Sequence, residues 1–97
     1  MLRHIALFKL RADAPAGSIQ SLEEGLSLIA QTIKEIVSYD YGANLGLRQG
    51  NFDFAVVADF ATPEDFETYV NHPDHQAFLK DRLTPVLDER VSIQFEL

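Results

Sequence analysis

The spacing of apolar residues predicts that the first half of the chain forms a strand, a helix and a second strand. Arg3 to Leu10 (RHIALFKL) is rich in large apolar side chains and is followed by turn residues, which is typical of a strand. From Ser18 or Ser21 to about Val37, apolar residues recur at steps of three and four. This period predicts an amphipathic helix, with Ser21 and Glu24 as a capping box. Tyr39 to Leu47 precedes a glycine-containing turn signal, which predicts a strand leading into a hairpin.

The third strand and the start of a second helix follow. Asp53 to Phe60 (DFAVVADF) has the composition of a strand. Thr62 as an N-cap and Pro63 at the first helical position predict a short helix to about Asn71. Proline disfavours helical geometry in the residue before it, so the helix should break or bend just before Pro73.

The last part of the chain predicts a second helical piece and a final strand. An apolar stripe follows Pro73, and Thr84-Pro85 can interrupt it; its members are Phe78, Leu79, Leu83, Val86 and Leu87. Val91 to Leu97 then alternates between apolar and polar side chains, as a strand does. The resulting order, β-α-β-β-α-β, predicts an α+β fold of the ferredoxin-like kind in one domain, residues 1–97. In this fold an antiparallel sheet carries both helices on one face.

Both faces of the predicted sheet have apolar centres. One face of the first strand carries His4, Ala6, Phe8 and Leu10, and the other carries Arg3, Ile5, Leu7 and Lys9. The third strand repeats this pattern, with Phe54, Val56, Ala58 and Phe60 against Asp53, Ala55, Val57 and Asp59. Helices on one side cannot cover both faces, so we expect the second face to meet another copy of the chain. The prediction is a homodimer with its sheets face to face, a dimeric α/β barrel.

Composition narrows the classes of partner. The net charge is -7, from 15 acidic and 8 basic residues, and no basic run is present, so neither nucleic acid nor an anionic membrane surface is expected as a partner. No apolar run is long enough to span a bilayer and no signal peptide is evident, so we expect a cytoplasmic protein. Cysteine is absent, which excludes thiol catalysis and cysteine-ligated metals. We predict no cofactor.

The segment Tyr69 to His75 (YVNHPDH) concentrates the titratable side chains of the chain. It holds two of the 3 histidines and one of the 3 tyrosines. If the helix after Pro73 is regular, His75 faces inward, because Phe78 and Leu79 follow at offsets of three and four. Burial would lower the pKa of His75, whereas a nearby acid would raise it, Asp59 and Asp74 being the candidates. The sequence alone leaves both effects open.

The chain resembles the stress-responsive dimeric α/β-barrel (Dabb) family over nearly its whole length. The resemblance depends on the early strand Arg3 to Leu10 with its histidine, on Tyr41-Gly42-Ala43-Asn44, on Phe52 to Phe60, and on Tyr69 to Gln76. The most specific part is Y-x-x-H-P-x-H after a strand that ends in aspartate and phenylalanine. The family resemblance implies a ferredoxin-like subunit that pairs sheet to sheet. It leaves the function open, since most members have no known reaction.

One plant member of the family, olivetolic acid cyclase, is a polyketide cyclase, and it suggests roles for three residues here. In that cyclase the tyrosine and the second histidine of the motif carry the chemistry, and an early-strand histidine lies in the same cavity. The resemblance therefore implies catalytic roles for Tyr69 and His75 and a substrate-binding role for His4. The chain departs from the cyclase at most other positions, so the substrate cannot be transferred.

Three interpretations of these residues stay open at this point. The functional one makes His75 a general base, Tyr69 a donor to a carbonyl oxygen and His4 a ligand contact in a small-molecule site, with His72 as a further contact. The structural one makes Tyr69 and His75 core fillers and His72 part of the bend before Pro73, in a non-catalytic dimer. The third is a metal or haem site formed by the histidines, but their spacing enforces no coordination geometry, so we predict no metal.

Overall fold

A computed structural model describes residues 1–97 as a four-stranded antiparallel sheet with its helices on one face. The strands are β1 (Leu2–Leu10), β2 (Ile36–Ala43), β3 (Phe54–Phe60) and β4 (Leu87–Glu96), in the spatial order β2-β3-β1-β4. The helices are α1 (Ser18–Thr32), α2 (Pro63–Asn71) and α3 (Pro73–Phe78). A π-helical turn (Leu79–Leu83) and a 3₁₀ turn (Thr84–Val86) join α3 to β4. The predicted ferredoxin-like order is therefore confirmed.

The first helix differs from its prediction at both ends. Gly17, with a φ of 91°, occupies the N-cap position and offers no side-chain cap, so the predicted Ser21–Glu24 capping box is wrong. Ser21 already lies inside the helix, where its N–H donates to the Gly17 carbonyl over 2.9 Å. The helix ends at Thr32 instead of near Val37, because Ile33 is extended. Ile36 still packs on the core, but it does so from the start of β2.

The second strand is displaced from its predicted position. It covers Ile36–Ala43 instead of Tyr39 to Leu47, and the leucines beyond it are exposed in the loop 44–53. This loop turns the chain at Gly46 and Gly50, which have φ values of 78° and 83°. Glycine is the residue that adopts such values without strain. The antiparallel pairing of β2 with β3 is confirmed, although a long loop joins them.

The break before Pro73 has the predicted geometry. Thr62 caps α2 by accepting a hydrogen bond from the Asp65 N–H at 3.1 Å. His72 is extended, with a φ of -63° and a ψ of 136°, so α2 ends there and α3 starts at Pro73. The apolar stripe beyond Pro73 does not form one helix, because the backbone loosens into the π-helical turn and Leu87 already belongs to β4. Accordingly, β4 begins four residues earlier than Val91, the predicted start.

The helices cover only one side of the sheet. Fourteen buried apolar residues form the core between sheet and helices: Leu2, Ala6, Phe8, Leu22, Leu26, Ile29, Ile33, Phe54, Val56, Ala58, Phe60, Tyr69, Phe78 and Leu83. The opposite side, which we call the open face, has an apolar centre of Ile5, Leu7, Ala55, Val57, Val91, Ile93 and Phe95. On β4 these side chains are 42–58% exposed. The predicted two-sided apolar pattern is thus present.

One corner of the open face is polar. Arg3 donates two hydrogen bonds to the Asp59 carboxylate, at 2.8 and 2.9 Å, and the Ser38 hydroxyl donates a third at 2.9 Å. These bonds, the one from Arg3 above all, hold the pKa of Asp59 below its usual range. Asp59 is therefore committed to Arg3 and faces away from the helices. None of the helices is long and apolar enough to cross a membrane.

Candidate functional site

A cavity of about 190 Å³ lies between the sheet and the helices, beside the Tyr69 to His75 segment. One wall comes from β1 and β3, a second from α1, α2 and α3, and a third from β4. Its fourteen lining residues are His4, Ala6, Phe8, Leu26, Val56, Phe66, Tyr69, Val70, His75, Phe78, Leu79, Arg90, Ser92 and Gln94. An engineered cavity of about 150 Å³ holds benzene, so this volume suits a small ring compound or a short chain.

His75 reaches the cavity from the first turns of α3, and its tautomer is fixed by the backbone. Its Nδ1 lies 3.1 Å from the Val70 carbonyl oxygen, which can only accept, so Nδ1 carries the proton. Nε2 is then left with its lone pair. Burial lowers the pKa of His75 more than the Val70 hydrogen bond raises it, and Arg90 and His72 lower it further. Neutral His75 is therefore the dominant form at neutral pH.

Asp59 and Asp74, the two acids considered from the sequence, do not offset the effect of burial on the pKa of His75. Asp59 is paired with Arg3 on the open face. Asp74 lies 3.9 Å from Nδ1 of His72 and is half exposed. The question left open by the sequence is thus answered in favour of burial.

His4 lines the cavity from β1 in the opposite tautomer. Its Nδ1 lies 2.9 Å from Nε2 of Gln94, and this amide nitrogen donates, so Nδ1 accepts and the ring proton is on Nε2. Burial, with the charges of His75 and Arg90, lowers the pKa of His4 to about 4. At neutral pH, His4 is consequently a neutral hydrogen-bond donor while His75 is a neutral acceptor.

Tyr69 lies at the end of α2 between these two histidines. Its ring centroid is 4.3 Å from that of His75 and 6.2 Å from that of His4. Its hydroxyl oxygen lies 2.8 Å from the Tyr39 hydroxyl oxygen. Burial raises the pKa of Tyr69 to about 12, although the Tyr39 hydrogen bond lowers it, so the phenol keeps its proton.

His72, the fourth predicted site residue, does not line the cavity. Its Nδ1 accepts a hydrogen bond from the Asp74 N–H at 3.1 Å, which caps the start of α3. The structure thus brings three predicted site residues together, His4, Tyr69 and His75, and places the fourth in the bend. No group of three or more histidine, aspartate or glutamate side chains lies close enough to hold a metal ion.

The sequence did not reveal the wall that β4 contributes, made of Arg90, Ser92 and Gln94. Arg90 falls before the predicted start of this strand, so the predicted alternation does not include it. Extending the alternation of Val91 to Leu97 backwards by one residue gives the signal that was missed. It places Arg90 on the same face as Ser92 and Gln94, opposite the apolar side chains.

Comparisons with known proteins agree with this architecture. The model of the Stress responsive A/B Barrel Domain (Dabb) family matches residues 2–97. The chain belongs to this family. It is 23% identical over 96 residues to a stress-response A/B barrel domain-containing protein of Arabidopsis thaliana, and the match covers 98% of the chain but only 36% of that relative.

Solved structures share the fold of this Dabb chain. A dimeric ferredoxin-like protein of unknown function from Thermobifida fusca is 42% identical, with a TM-score of 0.91, over 99% of this chain and 90% of that one. The hydroxynitrile lyase of Passiflora edulis is 19% identical, with a TM-score of 0.83, over 97% of this chain and 90% of that one. At that identity the similarity shows the fold alone.

Proposed function

We propose that this Dabb protein is a homodimer that binds a small organic molecule in the cavity and catalyses acid/base chemistry beside a carbonyl group. His75 is the general base, and Tyr69 and His4 donate hydrogen bonds to the carbonyl oxygen. One observation carries the proposal: His4 and His75 line the same cavity in opposite tautomers. One ring nitrogen is therefore available to take a proton while another is available to donate one.

The proposed reaction begins with removal of a proton from the carbon next to the carbonyl. The C–H bond breaks, the proton passes to Nε2 of His75, and the electron pair forms an enolate. Negative charge then grows on the oxygen, where the Nε2–H of His4 and the hydroxyl of Tyr69 stabilise it. If the substrate has a double bond next to the carbon that loses the proton, the electron pair extends over it, and return of the proton to the far carbon of that double bond completes an isomerisation. Attack of the enolate carbon on a second carbonyl of the same molecule forms a ring and an alkoxide instead, and the proton held by His75 then passes to that alkoxide oxygen.

Tyr39 supports the role proposed for Tyr69. When the Tyr39 hydroxyl donates to the Tyr69 oxygen, the Tyr69 hydroxyl keeps its own proton for a ligand. Nine of the fourteen lining residues are hydrophobic, and hydrogen bonds made against this apolar part of the lining are stronger than in bulk water. The fold itself is compatible with catalysis, because a hydroxynitrile lyase shares it.

The homodimer is supported by the open face and by a relative. The centre of that face is apolar and no helix covers it, and contiguous apolar surface of this kind marks interaction sites. The Thermobifida fusca protein, 42% identical, is described as dimeric.

A non-catalytic dimer is the second candidate. It is favoured by the fact that no buried side-chain nitrogen or oxygen lacks a hydrogen-bond partner. Tyr69 already has Tyr39 as its partner, and Nδ1 of His75 has the Val70 carbonyl. In this alternative the histidines and tyrosines only satisfy one another.

The two candidates differ in whether the protein accelerates proton exchange on a small ketone. Exchange of the α-hydrogens of acetophenone and cyclohexanone in D₂O is followed by NMR, with and without protein. We expect acceleration by the parent protein and a loss of about a hundredfold or more in His75→Gln and in Tyr69→Phe. Tyr41→Phe is the control, because the Tyr41 hydroxyl has no cavity contact. Exchange no faster than in buffer, or undiminished in His75→Gln, would overturn the proposed chemistry.

A further inference from the structure

The charge of the cavity lining contrasts with the charge of the whole chain. The protein carries 15 acidic residues and a net charge of -7, yet none of the fourteen lining residues is aspartate or glutamate. The lining includes one guanidinium, that of Arg90, and two histidines that are neutral at neutral pH. The cavity is therefore a cationic site in an anionic protein.

Arg90 has no side-chain partner within the chain. It forms none of the ion pairs of the structure, and no side-chain hydrogen bond satisfies it. The other arginines near acids behave differently: Arg3, for example, is held by two hydrogen bonds from its guanidinium to Asp59. Arg90 also acts on the site itself, because its charge lowers the pKa of both His4 and His75. Arg90 is exposed to solvent, so its guanidinium is free to bind a ligand with a negative charge.

The lining is also divided into a polar and an apolar part. Arg90, Ser92 and Gln94 follow one another at alternate positions on the same face of β4. Gln94 is already bonded to His4, so Arg90 and the Ser92 hydroxyl are the groups free to meet a ligand. Nine of the fourteen lining residues are hydrophobic, and they lie on β1, on β3 and on the helical segments. The ligand should therefore be charged at one end and apolar along its body.

We propose that the cavity selects a small carboxylic acid with an apolar body, its carboxylate bound by Arg90 and Ser92 and its body packed among the apolar residues. A planar guanidinium matches a carboxylate through two parallel hydrogen bonds. One guanidinium balances the single charge of a carboxylate, whereas a phosphate monoester carries up to two. The assignment rests on the proposed ligand cavity and is independent of any catalytic role of His75.

The test is a binding comparison of charged and neutral probes of the same shape. Benzoate is compared with benzamide, and hexanoate with hexanamide, by calorimetry on the full chain at millimolar probe concentration. We expect the carboxylates to bind about tenfold to a hundredfold more tightly than the amides. Added salt should weaken binding of the carboxylates and leave that of the amides unchanged.

Substitutions of Arg90 test whether its guanidinium causes the preference for carboxylates. Arg90→Gln should abolish the preference for benzoate, and Arg90→Lys should retain part of it, because the charge stays while the planar fork is lost. Arg48→Gln is the matched control, since Arg48 lies in the exposed loop 44–53 and its substitution removes the same charge from the chain. A circular dichroism melt verifies that each variant is folded.

The outcomes separate this inference from the proposed function. Equal binding of acid and amide, no binding of either carboxylate, or a preference that survives Arg90→Gln would overturn it. Tighter binding of phenyl phosphate than of benzoate would overturn the choice of carboxylate. Carboxylate binding through Arg90 without any exchange of ketone hydrogens would support this inference while the catalytic proposal fails. Exchange of ketone hydrogens without a preference for carboxylates would support the catalytic proposal while this inference fails.

Discussion

The phenol oxygens of Tyr39 on β2 and Tyr69 on α2 lie 2.8 Å apart, so a hydrogen bond joins the sheet to the helix at the edge of the cavity. Tyr39→Phe removes this bond and leaves the ring in place. We expect a loss of about 1 kcal/mol in the free energy of unfolding, measured by urea denaturation. The pKa of Tyr69 should rise above its parent value of about 12, because the Tyr39 bond lowers it. Tyr41→Phe is the matched control, and an equal loss of stability there would contradict the role of the bond.

Substitutions of His72 distinguish a structural role in the bend before Pro73 from a role in ligand binding. Its Nδ1 accepts from the Asp74 N–H, as an N-cap side chain does. His72→Ala should lower the free energy of unfolding by about 1 kcal/mol, whereas His72→Asn should not, because asparagine is among the best N-cap residues. Neither variant should change the affinity for benzoate. Weaker benzoate binding by His72→Asn, with normal stability, would show instead that His72 contacts the ligand.

The rate of ketone hydrogen exchange should depend on pH through His75. Because burial lowers the pKa of His75, its reactive neutral form should dominate from below the ordinary histidine value upwards. The rate should rise with pH through an apparent pKa below 6.5 and then stay level through the neutral range. Tyr69 keeps its proton throughout, since its pKa is about 12. A rate that continues to climb through the neutral range would contradict the assignment of His75 as the base.

Folding stability should depend on pH through His4. The pKa of His4 falls from 6.5 in the unfolded chain to about 4 in the folded one. Between these values the unfolded state binds a proton that the folded state does not, so stability is lost as the pH falls and is complete above 6.5. His4→Gln should reduce the stability that is lost between pH 6.5 and about 4. The reduction should be on the order of 1 kcal/mol, because His4 is only half-buried. Urea denaturation at a series of pH values measures it, and an unchanged slope would contradict the burial of neutral His4.

The homodimer can be tested by placing a charge at the centre of the open face. Ile93 is 58% exposed on β4 and Leu28 is 55% exposed on α1, on the other side of the molecule. Ile93→Glu should weaken the dimer by about 3–5 kcal/mol, since it leaves an unpaired charge in the interface. Leu28→Glu should leave the dimer intact. Sedimentation equilibrium distinguishes the species, and a parent protein that is monomeric, or a dimer unaffected by Ile93→Glu, would rule out pairing through this face.

The sequence was sufficient for the element order because strands and helices have different apolar periods. It failed at the end of α1 because Ile33 and Ile36 continue the helical spacing while the backbone has already become extended. A strand that begins at Ile36 directs this side chain to the same core as a helix would. Periodicity alone therefore could not locate the boundary. The capping box failed for a related reason: the helix begins after a glycine with positive φ, three residues before Ser21.

The candidate site was partly predictable. The cluster of Tyr69 and His75 around Pro73 was visible as a local concentration of titratable groups, and His4 was included through the family resemblance. The tautomers were not predictable, because they depend on Val70 and Gln94, which approach only in the folded chain. Arg90 was missed because the charged residues before Val91 resemble a loop in sequence.

Strand β4 contributes to two surfaces at once, with Ile93 on the open face and its neighbours Ser92 and Gln94 in the cavity wall. Deletion of Val91 would slide the downstream register by one residue and exchange the two sets of side chains. The isoleucine would then enter the cavity, and the glutamine would lie on the open face, which is apolar at its centre. A change in the length of this strand therefore damages two surfaces at once, whereas residues 45–50 form an exposed turn that contributes to neither of them.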